Sequence, residues 1–429
     1  MPTRRHVLLV SYFFPPRSSV GSLRPGYLAR YLPTEGWDVT VVTADLQGAK
    51  APTWSRVVET GYTDVVAQAK RLVGLSPTQS TYTVLGETVP KVNRRASITL
   101  RQRLILNGWR LVTYPDPMRG WYRHAVNALT GLITSGDYSA IISTSPPITT
   151  HLAIARALHG KLPWLADFRD LWAGNPYHPG RLRYLLDKAL EVRTLSQADA
   201  ITTVSQPLAD LLARTHPGKP TFAVPNAFDP TEWDQVPFVS PTKCTLTYAG
   251  QLRDPYIVFE ALASEQAAGI IGPGNFELNL YTNPTPWLIS EIEDHGLTKI
   301  INLKGTVPRD DVLRAERSSS ANLVISSFLP GEEAGYTGKL FEYLGAGRPI
   351  IAVGPEGSVI KDLLEEVGDC WYASTIEQMR SVVRAFHRRW QANGELVIQR
   401  EKIEQFTARN LAKRFSEILD QITQRAATP

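Results

Sequence analysis

The chain reads as an α/β protein made of two doubly wound domains in series, and three observations lead there. Short apolar runs of strand length alternate with helical stretches along most of the chain. A proline-spaced connector, Pro225 to Pro241, separates one such series from a second. Several apolar runs end in glycine or in charged residues, which is where an open parallel sheet keeps its ligands.

His6 to Phe14 opens with a strand and breaks at Pro15-Pro16. The loop Arg17 to Ser22 leads into a helix, Leu23 to Leu32, stopped by Gly36, and Asp38 to Thr43 is the next strand. Gly21 stands where such a loop lets backbone approach a ligand, and Arg24 stands at the head of the helix. The G-x-G-x-x-G spacing is missing there, which argues against a standard dinucleotide site. After a less regular region from 45 to 125 the alternation resumes. Ala140 to Ser145 and Trp164 to Phe168 are strands around a helix, Thr149 to Leu158, and the second strand runs into Asp167-Phe168-Arg169-Asp170-Leu171-Trp172. Arg181 to Ala198 is helical, Ala200 to Val204 a strand, Pro207 to Arg214 a helix, and Thr221 to Val224 closes this half.

The second half repeats the rhythm, with strands at Cys244 to Ala249, Phe276 to Tyr281, Ile300 to Leu303, Asn322 to Ser326, Ile350 to Val353 and Cys370 to Ala373. A helical tail follows from Ile376 to Arg425. The expected domains are 1–228 and 244–405, joined by a linker at 229–243, with 406–429 as a terminal helix packing back on the first domain. A cleft is expected between them.

A hydrophobic share of 43% with 20% charged residues describes a globular protein, and no apolar run reaches membrane-spanning length. Met1 to Val10 passes from basic residues straight into a strand, so no signal peptide is expected. Two cysteines far apart, Cys244 and Cys370, exclude a disulfide framework and suggest buried reduced thiols in a cytoplasmic protein. The net charge of +5 is uneven: Lys91 to His124 holds eight Lys or Arg against Asp116 alone. That excess suits an acidic partner rather than general nucleic-acid binding. Within it, Ile98 to Val112 has the spacing of a basic amphipathic helix, which either lies on anionic lipid headgroups or packs on the core with its arginines in water.

The most constrained stretch is Pro330 to Ile350. Gly338 leaves a helix start open, so unpaired amides point at whatever lies ahead, a ready seat for phosphate. Lys339 in the first turn opposes the helix dipole unless an anion is expected, and Glu342 shares its face. One face therefore offers amides and an ammonium for a diphosphate and a carboxylate for a ribose diol. The plainer reading is a solvated Lys-Glu pair, against which Gly345, Gly347 and Pro349 at the exit speak.

Ser11 to Pro16 with Val20-Gly21, Asp167 to Trp172, Val204-Ser205, Pro225 to Asp229, Tyr248 to Leu252 and Lys339 to Pro349 together resemble glycosyltransferase family 4, the retaining nucleotide-sugar transferases of the GT-B fold. Pro146-Pro147 and Arg169 to Trp172 look nearest to members that build bacterial surface polysaccharides. The resemblance implies that Arg253 and Lys339, with Arg169 and Asp170, serve catalysis. Gly21, Gly250, Glu333, Gly338, Leu340 and Glu342 would bind a nucleotide-diphosphate sugar, a UDP-sugar being favoured. Arg24 and Asp167 would lie on the acceptor side. No cofactor and no metal are implied, and the acceptor would be a sugar or a lipid-linked saccharide, met at the inner face of the plasma membrane through the basic 91–124 segment. From the residues alone, Asp167, Arg169 and Asp170 are either such contacts or a salt-bridge group closing a strand. His151 and His178 could line the same cleft or simply be packed.

The sequence departs from the family pattern in two places. Ala334 stands where a Glu is expected eight residues before Glu342, with Glu333 and Glu332 beside it. Gln251 and Tyr256 stand where Arg and Lys are expected, leaving Arg253 and Lys339 to carry the phosphate charge. Two alternative functions follow: a soluble transferase acting on a small metabolite, or a catalytically silent nucleotide-sugar-binding protein.

Overall fold

The structure, a computed structural model, describes residues 5–17, 19–46, 48–65, 67–68, 113–158, 160, 162–177, 180–252 and 254–427. The chain divides into two compact units. The first comprises Met1–Thr202, Ala213–Thr221 and Ser416–Pro429, and the second Thr203–Leu212 and Phe222–Phe415.

The first seven strands are β1 (Arg5–Val10), β2 (Trp37–Ala44), β3 (Arg56–Thr60), β4 (Ala140–Ser145), β5 (Trp164–Phe168), β6 (Ala200–Thr203) and β7 (Thr221–Ala223). They lie in the order β3-β2-β1-β4-β5-β6-β7. β1 pairs in parallel with both β2 and β4, so the order reverses between β1 and β4. Such a switch point opens a crevice at the strands' carboxyl ends. β4 and β5 are buried along their whole length and β1 from Val7 onward, as strands covered on both faces must be.

The second sheet comprises β8 (Cys244–Ala249), β9 (Phe276–Tyr281), β10 (Ile301–Leu303), β11 (Ala321–Ile325), β12 (Ile350–Val353) and β13 (Trp371–Ala373). All its pairings are parallel, in the order β10-β9-β8-β11-β12-β13, and its switch point falls between β8 and β11. One core holds Leu246, Val258, Phe259, Leu278, Met379 and Phe386; another holds Trp233, Leu340, Phe341, Leu344, Ile360 and Leu364.

The α/β class and two parallel sheets agree with the sequence reading, and several strands agree to the residue. The first helix differs: it spans Val20–Tyr31, because Ser19 Oγ accepts the Gly21 amide and caps it early. The helical tail is interrupted, since Ile376–Asn393 stops at Gly394 (φ 68°) and Ala408–Ala427 begins afresh. Residues of that last helix contact the first sheet, where Asp420 accepts from the buried Trp37 indole (3.2 Å) and pairs with Arg5. Both cysteines are free, but only Cys244 is fully buried. The expected helix at Ile98 to Val112 lies outside the described residues.

Candidate functional site

The second sheet's switch point places two loops side by side, the one leaving β8 at Gly250 and the one leaving β11 at Ser326. The latter makes a short 3-10 turn, Glu332–Ala334, after Gly331 takes φ 94°, then enters the helix Gly338–Ala346. Tyr343 from that helix accepts the Ala249 amide through its hydroxyl (3.0 Å), tying the helix to the end of β8. Gly250 sits at φ 124°, and a Cβ there would lie 3.2 Å from Lys339 Cε, so the lysine stem passes directly over it. At the other end of the helix a Cβ on Gly345 would lie 2.1 Å from the Trp233 indole nitrogen, and Gly347 closes the helix at φ 69°. The exit glycines are thus set by close packing and by a left-handed cap.

The helix start is open, as its sequence suggests. Thr337 precedes it without making a side-chain cap, and its hydroxyl is buried without a partner. Lys339 Nζ donates to Glu342 Oε1 at 2.8 Å, and Arg309 Nη1 donates to Glu342 Oε2 at 2.7 Å. Burial pushes the Glu342 carboxyl upward, but the Lys339 and Arg309 charges outweigh it and hold the group below the usual carboxylate range. Each Glu342 oxygen accepts one of these bonds and keeps further lone-pair capacity. Arg309 in turn reaches Glu232 at 3.3 Å.

Beneath this pair lies Glu316, on the buried face of the helix Arg309–Arg317 beside Leu313. Its side chain has no exposed surface, neither oxygen has a hydrogen-bond partner, and Lys339 Nζ is 3.7 Å away. Burial, reinforced by the neighbouring Glu342 charge, drives its carboxyl well above the usual range, in the opposite direction to Glu342 beside it. Sequence reading missed Arg309, Glu316 and Glu232. Glu316 could have been noticed as a charged residue three positions after Leu313 on the face that must be apolar; Arg309 and Glu232 carry no such signal.

In the first unit, Asp167 at the end of β5 is fully buried and accepts four hydrogen bonds. These come from Arg24 Nε (3.0 Å) and Nη2 (2.8 Å), Thr144 (2.8 Å) and Thr202 (2.8 Å). Burial raises its carboxyl, yet the Arg24 charge and these bonds win and hold it low. Arg24 is itself only 2% exposed, so the pair expected on the acceptor side is enclosed, braced by β4 and β6. Arg169 donates to the Ser145 and Pro146 carbonyls (3.0 and 2.5 Å), and Asp170 is exposed. Gly21 lies in the first helical turn, where a Cβ would meet Phe13 at 3.0 Å and Arg169 at 3.1 Å. His151 is a core residue, bonded to Ser143 at 2.7 Å, its pKa lowered to about 3 by burial.

Glu333 accepts the Gly331 amide at 2.7 Å, closing its own turn, and Leu340 is fully buried, leaving only backbone to offer a ligand. Arg253 and His178 lie outside the described residues. Among the described residues no cluster of His, Cys, Asp or Glu is placed to hold a metal ion, and no helix is long and apolar enough to cross a membrane.

Two parallel sheets, each with its own switch point and interleaved helices, define the GT-B class of fold. Residues 26–232 match the profile of Glycosyltransferase Family 4, which bears out the resemblance read from the sequence. No curated protein sequence matches the chain. Sucrose-phosphate synthase from Thermosynechococcus elongatus is similar in structure, with a TM-score of 0.60 and 14% identity over 98% of this chain and 100% of that one. So is the lipopolysaccharide outer core galactosyltransferase WaaB, with a TM-score of 0.57 and 11% identity over 97% and 99%. Anabaena HepE in complex with UDP-glucose gives 0.51 and 12% over 98% of each chain. The profile match supports a glycosyltransferase, and the structural likenesses give its fold as GT-B.

Proposed function

We propose that the chain is a retaining glycosyltransferase that moves a sugar from a nucleotide-diphosphate sugar to the hydroxyl of a lipid-linked saccharide. The observation that carries this reading is Glu342, held ionised beside Lys339 at an uncapped helix start. In this reading the Glu342 carboxylate accepts the ribose hydroxyls, and Lys339 leaves it to meet the diphosphate. The Gly338 end of the helix adds its amides and dipole. The departing diphosphate gains charge as the glycosidic bond breaks, so a preplaced ammonium and amides lower the barrier most at that moment. Arg253 and Gly250 contribute to the same seat, and Glu333 contacts the donor sugar. Gly21, Arg169 and Asp170 are the candidate contacts of the first unit, where Asp167 fixes Arg24.

A UDP-sugar is the expected donor, by analogy with the ligand of the HepE structure. The reaction is proposed to run without a metal. The basic 91–124 segment would hold the protein at an anionic membrane surface, where such an acceptor resides.

The test is release of free nucleoside diphosphate from a panel of nucleotide sugars, with and without EDTA. Turnover of one donor that survives EDTA and is lost in Glu342→Ala supports the reading. Tight donor binding without release in the presence of membrane extracts would leave a binding protein instead.

A further inference from the structure

The helix Arg181–Leu195 in the first unit is built differently from the others. Leu182, Leu185 and Leu186 are 73%, 52% and 51% exposed, and Tyr184 and Val192 also face outward. Spacings of three and four put the leucines in one stripe. Its charges are sorted as sharply. Both acids of the helix point inward. Asp187 is held by Arg183 and the Trp172 indole, and Glu191 by the Ala173 amide (2.7 Å) and His216 (2.9 Å). The charged residues left on the exposed face are Arg181, Lys188 and Arg193, all cations. Lys188 lies over the Tyr184 ring at 5.8 Å.

An apolar stripe of this size on a surface helix indicates something that covers it. We infer that this helix is a docking surface for an anionic lipid bilayer, lying in the headgroup plane with its leucines among the acyl chains and its cations on lipid phosphates. Leucine and tyrosine flanked only by Lys and Arg is the composition of an interfacial helix, in which apolar burial and attraction to anionic headgroups add. A second copy of the chain is a poor occupant. A two-fold contact would set Arg181, Lys188 and Arg193 against the same three cations. The helix is also rigidly based: Arg183 donates to the Pro115 carbonyl at 2.7 Å and stacks on Tyr114 at 4.6 Å. The inference does not depend on what the donor site does.

The test is co-sedimentation of the full chain with vesicles of phosphatidylcholine alone and of phosphatidylcholine with phosphatidylglycerol, at low and high salt. Binding is expected only with phosphatidylglycerol and is expected to weaken with salt. Leu182→Ser/Leu185→Ser/Leu186→Ser and, separately, Lys188→Glu/Arg193→Glu should each weaken it by roughly tenfold or more. Their thermal unfolding should match the parent, since every altered residue is exposed. Binding that survives in both variants overturns the assignment and moves the contact to another part of the chain, as does an absence of vesicle binding. A dimer in lipid-free solution that the leucine variant dissolves would likewise overturn it.

Discussion

Asp167 and Glu342 are both carboxylates facing an arginine beside the ligand end of a parallel sheet, yet they are held in opposite ways. Asp167 is sealed: four donors, two of them threonine hydroxyls from adjacent strands, use its oxygens, and no part of it reaches solvent. Glu342 is held by two long cationic side chains that are themselves partly exposed, Lys339 and Arg309, and it sits above a buried acid whose oxygens accept no hydrogen bond. Bonds from short, buried side chains fix a charge as part of the framework. Bonds from long chains near solvent can be exchanged for those of a ligand. Similar residue types thus form a fixed brace in one unit and, in the proposed function, a recognition site in the other.

The largest effect should come from breaking the sealed site. Asp167→Ala leaves Arg24 buried without a counter-charge and is expected to cost about 3–5 kcal/mol of unfolding free energy, read from the urea midpoint. A loss below about 1 kcal/mol would show that the pair is not the anchor it looks like. Next is Lys339→Ala, for which nucleoside diphosphate release should fall about 10²- to 10³-fold in kcat while the melting temperature moves little. Glu342→Ala should weaken donor binding by about 1.5–3 kcal/mol by titration calorimetry; unchanged affinity would sink the ribose assignment.

The smallest effect separates the two sites by the sign of their pH dependence. Asp167 has a lowered pKa when folded, so its share of stability is present above the unfolded value near 3.9 and lost as pH falls through the folded one. Glu316 has a raised pKa when folded. The folded state then holds a proton that the unfolded state releases above about pH 4.3, and stability falls as pH rises toward the folded value, by at most about 1.4 kcal/mol per pH unit. Glu316→Gln should flatten that slope in denaturant titrations run upward from about pH 4.3. A wild-type slope that the substitution leaves untouched would mean the acid is not neutral when folded.

These contrasts also show what a one-dimensional reading can reach. Strands such as Ala140–Ser145 and Cys244–Ala249 were legible because they are short runs free of charged residues, rich in apolar and β-branched side chains, and bounded by breakers. The open helix start and the Lys339–Glu342 pair were legible because their spacing is local. Arg309, Glu316 and Glu232 were not, since they reach the site from other elements, 33, 23 and 110 positions from Lys339 or Glu342 by tertiary packing alone. The fate of Asp167 was equally hidden, because Thr144 and Thr202 become its partners only once β4, β5 and β6 lie side by side. The early start of the first helix turned on one serine hydroxyl, too small a signal to outweigh the pull of the Pro15-Pro16 break.

The helix Ala408–Ala427 begins among residues of the second unit and ends among those of the first, where Asp420 meets the indole of Trp37. A ribosome builds this helix after both sheets. The first unit therefore waits for a piece synthesised after the whole of the second, and its Trp37 and Arg5 keep their Asp420 partner open until then. Folding order in this chain cannot simply follow the order of translation.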